Sequence, residues 1–85
     1  MMNIPVLYDD QWLLIVNKPA GLLSVPAPGV PGRSLSGILQ TDAVEKQLPY
    51  RIFVCHRLDR ETSGVLICAK GKAIQETMMA LFKTH

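Results

Sequence analysis

Between residues 56 and 64 the sequence reads HRLDRETSG, placing a histidine, two arginines, an aspartate, a glutamate, a threonine and a serine in nine positions. Asp59 has the most chemistry open to it, because an ionised carboxylate can act as a nucleophile or as a general base. Arg57 and Arg60 lie on either side of it, and nearby guanidinium charge would hold the carboxyl in its anionic form. The same residues also fit ordinary turn chemistry, with Asp59 accepting backbone hydrogen bonds in an Asx-type turn that Thr62, Ser63 and Gly64 complete. Spacing alone leaves both readings open. His56, at a strand end, reads as a hydrogen-bonded structural residue rather than a proton shuttle. Cys55 and Cys68 have no CxxC pairing and no histidines at ligand spacing, so they read as small buried thiols and point away from zinc or redox chemistry.

The segment needs a scaffold, and its flanks supply one. Residues 52–55 (IFVC) and 65–69 (VLICA) are continuous apolar runs of the kind seen in strands covered on both faces, which would fix the intervening turn rigidly. Residues 6–8 and 12–16, separated by the polar triplet 9–11, predict a β-hairpin with Trp12 as a core anchor. Pro19, Pro26, Pro28 and Pro31 forbid regular ladder pairing across the loop 19–32, leaving room for a brief edge strand at 22–25. Ser34 can cap a short helix through Gln40, with Leu35, Ile38 and Leu39 at helical spacing and Gly37 opposing it. Over 72–83, Ile74, Met78, Leu81 and Phe82 follow the i, i+4, i+7, i+8 pattern and predict an amphipathic helix, with His85 a frayed terminal residue.

Composition bounds the rest. Eighty-five residues allow one domain, and 48% hydrophobic against 19% charged residues describe a globular core rather than a disordered chain. A chain of this size buries roughly 63% of its unfolded surface, which is marginal for independent stability. The run 12–16 is too short to span a bilayer, and no basic flank precedes an apolar segment at the N-terminus, so the chain reads as soluble and cytoplasmic with no membrane partner. The net charge of +2 neither demands nor excludes nucleic acid, but Arg51, Arg57, Arg60 and Lys70 fall within twenty residues.

HRLDRETSG followed by VLICAK, and preceded by NKPAGLLSVP at 17–26, resembles the RluA-type family of pseudouridine synthases over essentially the whole chain. The resemblance implies isomerisation of a uridine to pseudouridine in ribosomal or transfer RNA, without cofactor or metal. It makes Asp59 the catalytic carboxylate and Arg57 the arginine that helps hold RNA and replaces the flipped uridine. Arg60, at a variable family position, is expected to contact RNA, and Lys18, in the NKPxG segment, either reaches an RNA phosphate or is simply an exposed surface lysine. The implied fold is α+β, a mixed, mostly antiparallel sheet with one or two packed helices.

Family members continue with further strands, a tyrosine that stacks on the uracil and another basic residue that pairs with the carboxylate. Tyr8 and Tyr50 both precede the motif and match neither position. Residues 1–85 are therefore expected to be the N-terminal portion of a catalytic domain, with little or no turnover in isolation and with apolar surface that favours self-association. The alternatives are a non-catalytic RNA-binding remnant and a structural or oligomerisation fragment.

Overall fold

The computed structural model describes residues 4–26, 29 and 33–83; Pro28, Pro31 and His85 lie outside them. Among the described residues four strands, β1 (Val6–Asp9), β2 (Leu13–Lys18), β3 (Ile52–Val54) and β4 (Gly64–Lys70), form one sheet in the order β1-β2-β4-β3. Helices α1 (Leu35–Glu45) and α2 (Lys72–Lys83) complete an α+β fold. Every strand pairing is antiparallel, and the one parallel feature among the described residues is an isolated bridge between Leu23 and Ser34. That bridge is all that forms of the edge strand expected at 22–25.

The expected hairpin is present, closed by Asp10. Its carboxylate accepts from the amides of Trp12 and Leu13 at 2.8 and 2.7 Å and from the Tyr8 hydroxyl at 2.6 Å. These bonds, that from Tyr8 foremost, hold the Asp10 carboxyl below the usual carboxylate range. The turn leaves Trp12 ahead of the first residue of β2 and 54% exposed, so it is not the core anchor expected of it.

Strand register decides what is buried. Val16 pairs with Leu66, Leu14 with Cys68 and Val54 with Cys68, which puts these residues on one face of the sheet by the period-two alternation of strands. Helix α1 covers that face with Leu35, Leu39 and Ala43, spaced four residues apart. The thiols of Cys55 and Cys68 are buried as expected, and burial pushes that of Cys68 up to about 12.

Helix α1 starts as expected, with the Ser34 hydroxyl accepting from the Gly37 amide, but runs to Glu45 instead of stopping near Gln40. Ala43 extends the buried stripe by one turn, and the end is a Schellman-type cap built on Gln47, at φ 56°, where glycine is usual. The Gln47 and Leu48 amides close the cap on the carbonyls of Val44 and Ala43.

The opposite face departs from expectation. Helix α2 packs against β4 and β3 but buries none of its residues, and Val65 on β4 is 55% exposed. The apolar runs at 52–55 and 65–69 are thus fully covered on one face only, because α2 lies along one side of the sheet and no described element covers the rest. The outer edge of β3 is nevertheless closed: Gln40 of α1 accepts from the Ile52 amide at 2.8 Å, and Gln75 of α2 donates to the Val54 carbonyl at 3.0 Å. Two side chains thereby occupy groups that would otherwise template another strand.

Adjacent residues of β4 should accordingly respond very differently to truncation. Leu66→Ala, at a fully buried position, is expected to destabilise the chain by about 2–5 kcal/mol in urea unfolding. Val65→Ala is expected to change stability by no more than about 0.5 kcal/mol.

Candidate active site

Lys18, the last residue of β2, is the register partner of Gly64, the first of β4. The segment leaving β2 and the segment entering β4 therefore emerge side by side at one end of the sheet. Residues 18–24 clasp residues 58–62 through backbone groups at alternating positions. The Ser24 hydroxyl donates to the Leu58 carbonyl at 2.7 Å and accepts from the Leu58 amide at 3.0 Å. The Gly21 amide donates to the Arg60 carbonyl at 2.7 Å, from a backbone at φ 89° that glycine adopts without strain. Lys18 Nζ donates to the carbonyls of Arg60 and Thr62 at 3.0 and 2.7 Å and to that of Pro19 at 3.0 Å. A second glycine, Gly64 at φ 145°, lets the chain turn out of this clasp into β4.

The same segment also anchors α1, since the carbonyls of Leu23 and Ser24 accept from the Leu35 and Ser36 amides at 2.6 and 3.0 Å. Those amides are among the four that a helix N-terminus leaves without intrahelical partners. One stretch of irregular chain thus ties the first turn of α1 to the 56–64 loop.

Lys18 is the correction among the expected RNA contacts. It is fully buried, and the three protons of its ammonium are all directed at backbone carbonyls, so none is left for a phosphate. Burial pulls the ammonium below the ordinary lysine range, opposed by the carboxylates of Glu61 and Asp59. Lys18 braces the loop from beneath rather than meeting a ligand.

With Leu58, Arg60 and Thr62 held through their backbones, the Asp59 side chain is exposed between them. Among the described residues its carboxylate makes no hydrogen bond and no ion pair; the 59–62 turn is closed instead by the Thr62 amide donating to the Asp59 backbone carbonyl at 3.0 Å. The Asx-type turn anticipated at Asp59 is the role Asp10 fills in the hairpin. Guanidinium bracing is also absent at hydrogen-bond range, because Arg60 Nε pairs with Glu61 at 2.9 Å and Arg57 is exposed.

The four clustered cations separate in space. Arg57 and Arg60 stay with the loop, whereas Arg51 lies over the Phe53 ring at 5.7 Å, and Lys70, bonded to Asp9, sits 5.4 Å from the Tyr50 ring centroid. Lys70 and Gly64 are at opposite ends of β4, roughly 20 Å apart for a seven-residue strand. Cavities of about 270 Å³ beneath α1 and about 550 Å³ along it are lined by no residue of the loop.

The NKPAGLLSVP segment stands out in the sequence, but the parts played by Gly21 and Ser24 do not, because they engage residues some 34 to 39 positions away, beyond any local periodicity. Lys18→Met should therefore expose what the clasp contributes. It is expected to cost about 1–3 kcal/mol in urea unfolding by orphaning buried carbonyls, and to speed amide exchange at Gly21 and Thr62 while the β2–β4 amides stay protected. Unchanged exchange at both sites would show that the ammonium does not hold the loop.

Comparison with known proteins places this arrangement. Residues 12–85 match the RNA pseudouridylate synthase family. Ribosomal large subunit pseudouridine synthase D of Neisseria meningitidis serogroup A is 39% identical over 79 residues, covering 92% of this chain and 21% of that protein. The tRNA pseudouridine synthase C of Vibrio cholerae is 37% identical over 82 residues, covering 96% of this chain and 32% of that one. The solved structure of human RNA Pseudouridylate Synthase Domain Containing 4 superposes with a TM-score of 0.76 at 29% identity, over 94% of this chain and 30% of that chain. The chain thus spans between a fifth and a third of the length of these proteins. With the family match covering the hairpin strand, both clasped segments and the final helix, the chain belongs to the RNA pseudouridylate synthase family.

Proposed function

We propose that the chain carries the reacting carboxylate of an RNA uridine isomerase, with Asp59 as the catalytic residue and Arg57 and Arg60 as the groups that engage RNA. The reaction breaks the glycosidic C–N bond of a uridine, turns the uracil within the site and joins its carbon 5 to the ribose, the proton lost from carbon 5 being balanced by one gained at the freed ring nitrogen. An enzyme that reaches a stacked base must first extrude it, and a planar guanidinium such as that of Arg57 can fill the vacated space while bonding phosphate. Asp59 then serves as nucleophile toward the ribose or as the base that takes its proton, in either case as an anion. The observation that carries this reading is an exposed carboxylate that, among the described residues, makes no hydrogen bond or ion pair, on a loop whose neighbouring backbone is pinned. Arg60 keeps guanidinium protons beyond its Nε, and its exposed pairing with Glu61 is of a kind that is easily exchanged for phosphate.

The relatives' names point to ribosomal or transfer RNA as the substrate. On this reading residues 1–85 form the N-terminal portion of a catalytic domain, and the exposed Val65, Met79 and Phe82 are where the remaining domain or a second copy would pack. The same relatives, named for action on ribosomal and transfer RNA, favour a cytoplasmic setting; no helix among the described residues is long and apolar enough to cross a membrane.

A chimera tests the assignment. Residues 12–85 are substituted for the matching segment of the Vibrio cholerae tRNA pseudouridine synthase C, and pseudouridine is mapped in transfer RNA transcripts. The chimera is expected to form product, and Asp59→Ala within it to slow the reaction by at least about a hundredfold while leaving RNA affinity within about twofold. Arg57→Ala is expected to weaken RNA binding and flatten its salt dependence. A chimera that makes product equally well with Asp59→Ala would overturn the role given to that residue.

A further inference from the structure

Opposed residues of a hydrogen-bonded pair in an antiparallel ladder exchange two backbone bonds. Cys55 and Ile67 keep only one of them. The Cys55 amide donates to the Ile67 carbonyl at 2.9 Å, but the Ile67 amide donates at 3.1 Å to Nε2 of the His56 side chain. The imidazole replaces a backbone carbonyl at the point where β3 ends and the chain leaves the sheet toward Asp59, three residues on. The half-buried ring also meets Phe82 of α2 edge-on, with centroids 5.6 Å apart and planes at 78°. Two residues later Leu58 is seized by Ser24. His56 is therefore where β4, α2 and the loop converge.

A ring nitrogen accepts a hydrogen bond only in the neutral imidazole, here with the proton on Nδ1; the imidazolium has two donors and no acceptor. We infer that neutral His56 is a positioning residue for Asp59, and that protonation of its ring releases the Ile67 amide and loosens the start of the loop. The inference rests on the reading of Asp59 as the reacting group. The charged side chains on the surrounding elements are Lys72, Glu76 and Lys83 of α2, Lys70 of β4, and Arg57, Asp59, Arg60 and Glu61 of the loop; among the described residues none bonds to the ring. Burial lowers the affinity of His56 for a proton below that of an unfolded histidine. The neutral ring therefore stabilises the fold fully above about pH 6.5, and that contribution is lost as pH falls below this value toward the folded-state midpoint.

The test is an NMR titration of the isotopically labelled 85-residue chain, without RNA, from about pH 7.5 to about pH 5. The expected results are an Nδ1–H tautomer at His56, movement of the amides of residues 57–62 with the His56 midpoint, and a rise of about tenfold in Ile67 amide exchange, corrected for intrinsic rates, as the ring protonates. In His56→Gln the amide oxygen can accept the same bond but does not titrate, so Ile67 protection should be restored and the inflection in the loop should vanish. His56→Ala should lose Ile67 protection at every pH; if it does not fold, the wild-type titration and the glutamine variant decide. An Nε2–H tautomer, loop amides indifferent to the His56 midpoint, or an inflection that survives His56→Gln would overturn the inference. Because RNA and turnover do not enter, such a result leaves the assignment of Asp59 to the chimera, and an inactive role for Asp59 leaves the coupling measured here intact.

Discussion

The end of the molecule that carries the site depends on one buried cation. Lys18 closes β2 with its ammonium beneath the loop that enters β4, where three carbonyls 1, 42 and 44 residues away along the chain converge on it. Removing an ammonium from water is costly, and hydrogen bonds to charged groups, at about 1.5–3 kcal/mol each, offset that cost only when every proton is used. All three are used here. A point charge that must be surrounded by oxygen is a strong organiser of irregular backbone, which has no ladder of its own to set its course.

The clasp also explains how two aspartates in one short chain come to differ. Asp10 is consumed by structure, its oxygens taken up by two amides and a tyrosine hydroxyl that define the hairpin. Asp59 lies in a loop whose backbone is held by Lys18, Gly21 and Ser24, so its own side chain is not needed to form the turn. A rigid backbone with an unengaged carboxylate is the condition under which a group can be positioned for chemistry rather than for folding. His56 adds a hold from the strand side, linking the loop to the backbone of β4 and to the far end of α2.

Energetically the sheet is one-sided. The face under α1 holds the fully buried Val16, Leu66 and Cys68 against Leu35 of the helix, while among the described residues the other face is covered only where α2 meets β4 and β3. Gln40 and Gln75 close the outer edge of β3 with one hydrogen bond each, which joins both helices to the shortest strand. The fold is therefore tightest around the strands that deliver the 56–64 loop, while apolar side chains stay exposed on β1, on α2 and at Val44 of α1.

Much of this was legible in the sequence, because it rests on local pattern. The hairpin, the apolar runs on either side of HRLDRETSG, the Ser34 cap and the amphipathic 72–83 segment are written in periodicity and residue type, and the motif itself drew attention to Asp59. What periodicity could not reveal were partners distant along the chain. Lys18 looked like a surface lysine because nothing nearby marks it as buried, and Trp12 looked like core because its type outweighed its place at a turn. The end of α1 was hidden because Gln47 takes a conformation that a glycine would have announced. Only the tertiary structure brought residues 18–24 against 58–62 and so decided which aspartate was spent on folding and which was left exposed on a pinned loop. The physical reason is that an apolar stripe can be read within a few turns of chain, whereas a buried charge or a shared hydrogen bond is settled by whichever backbone the fold places beside it.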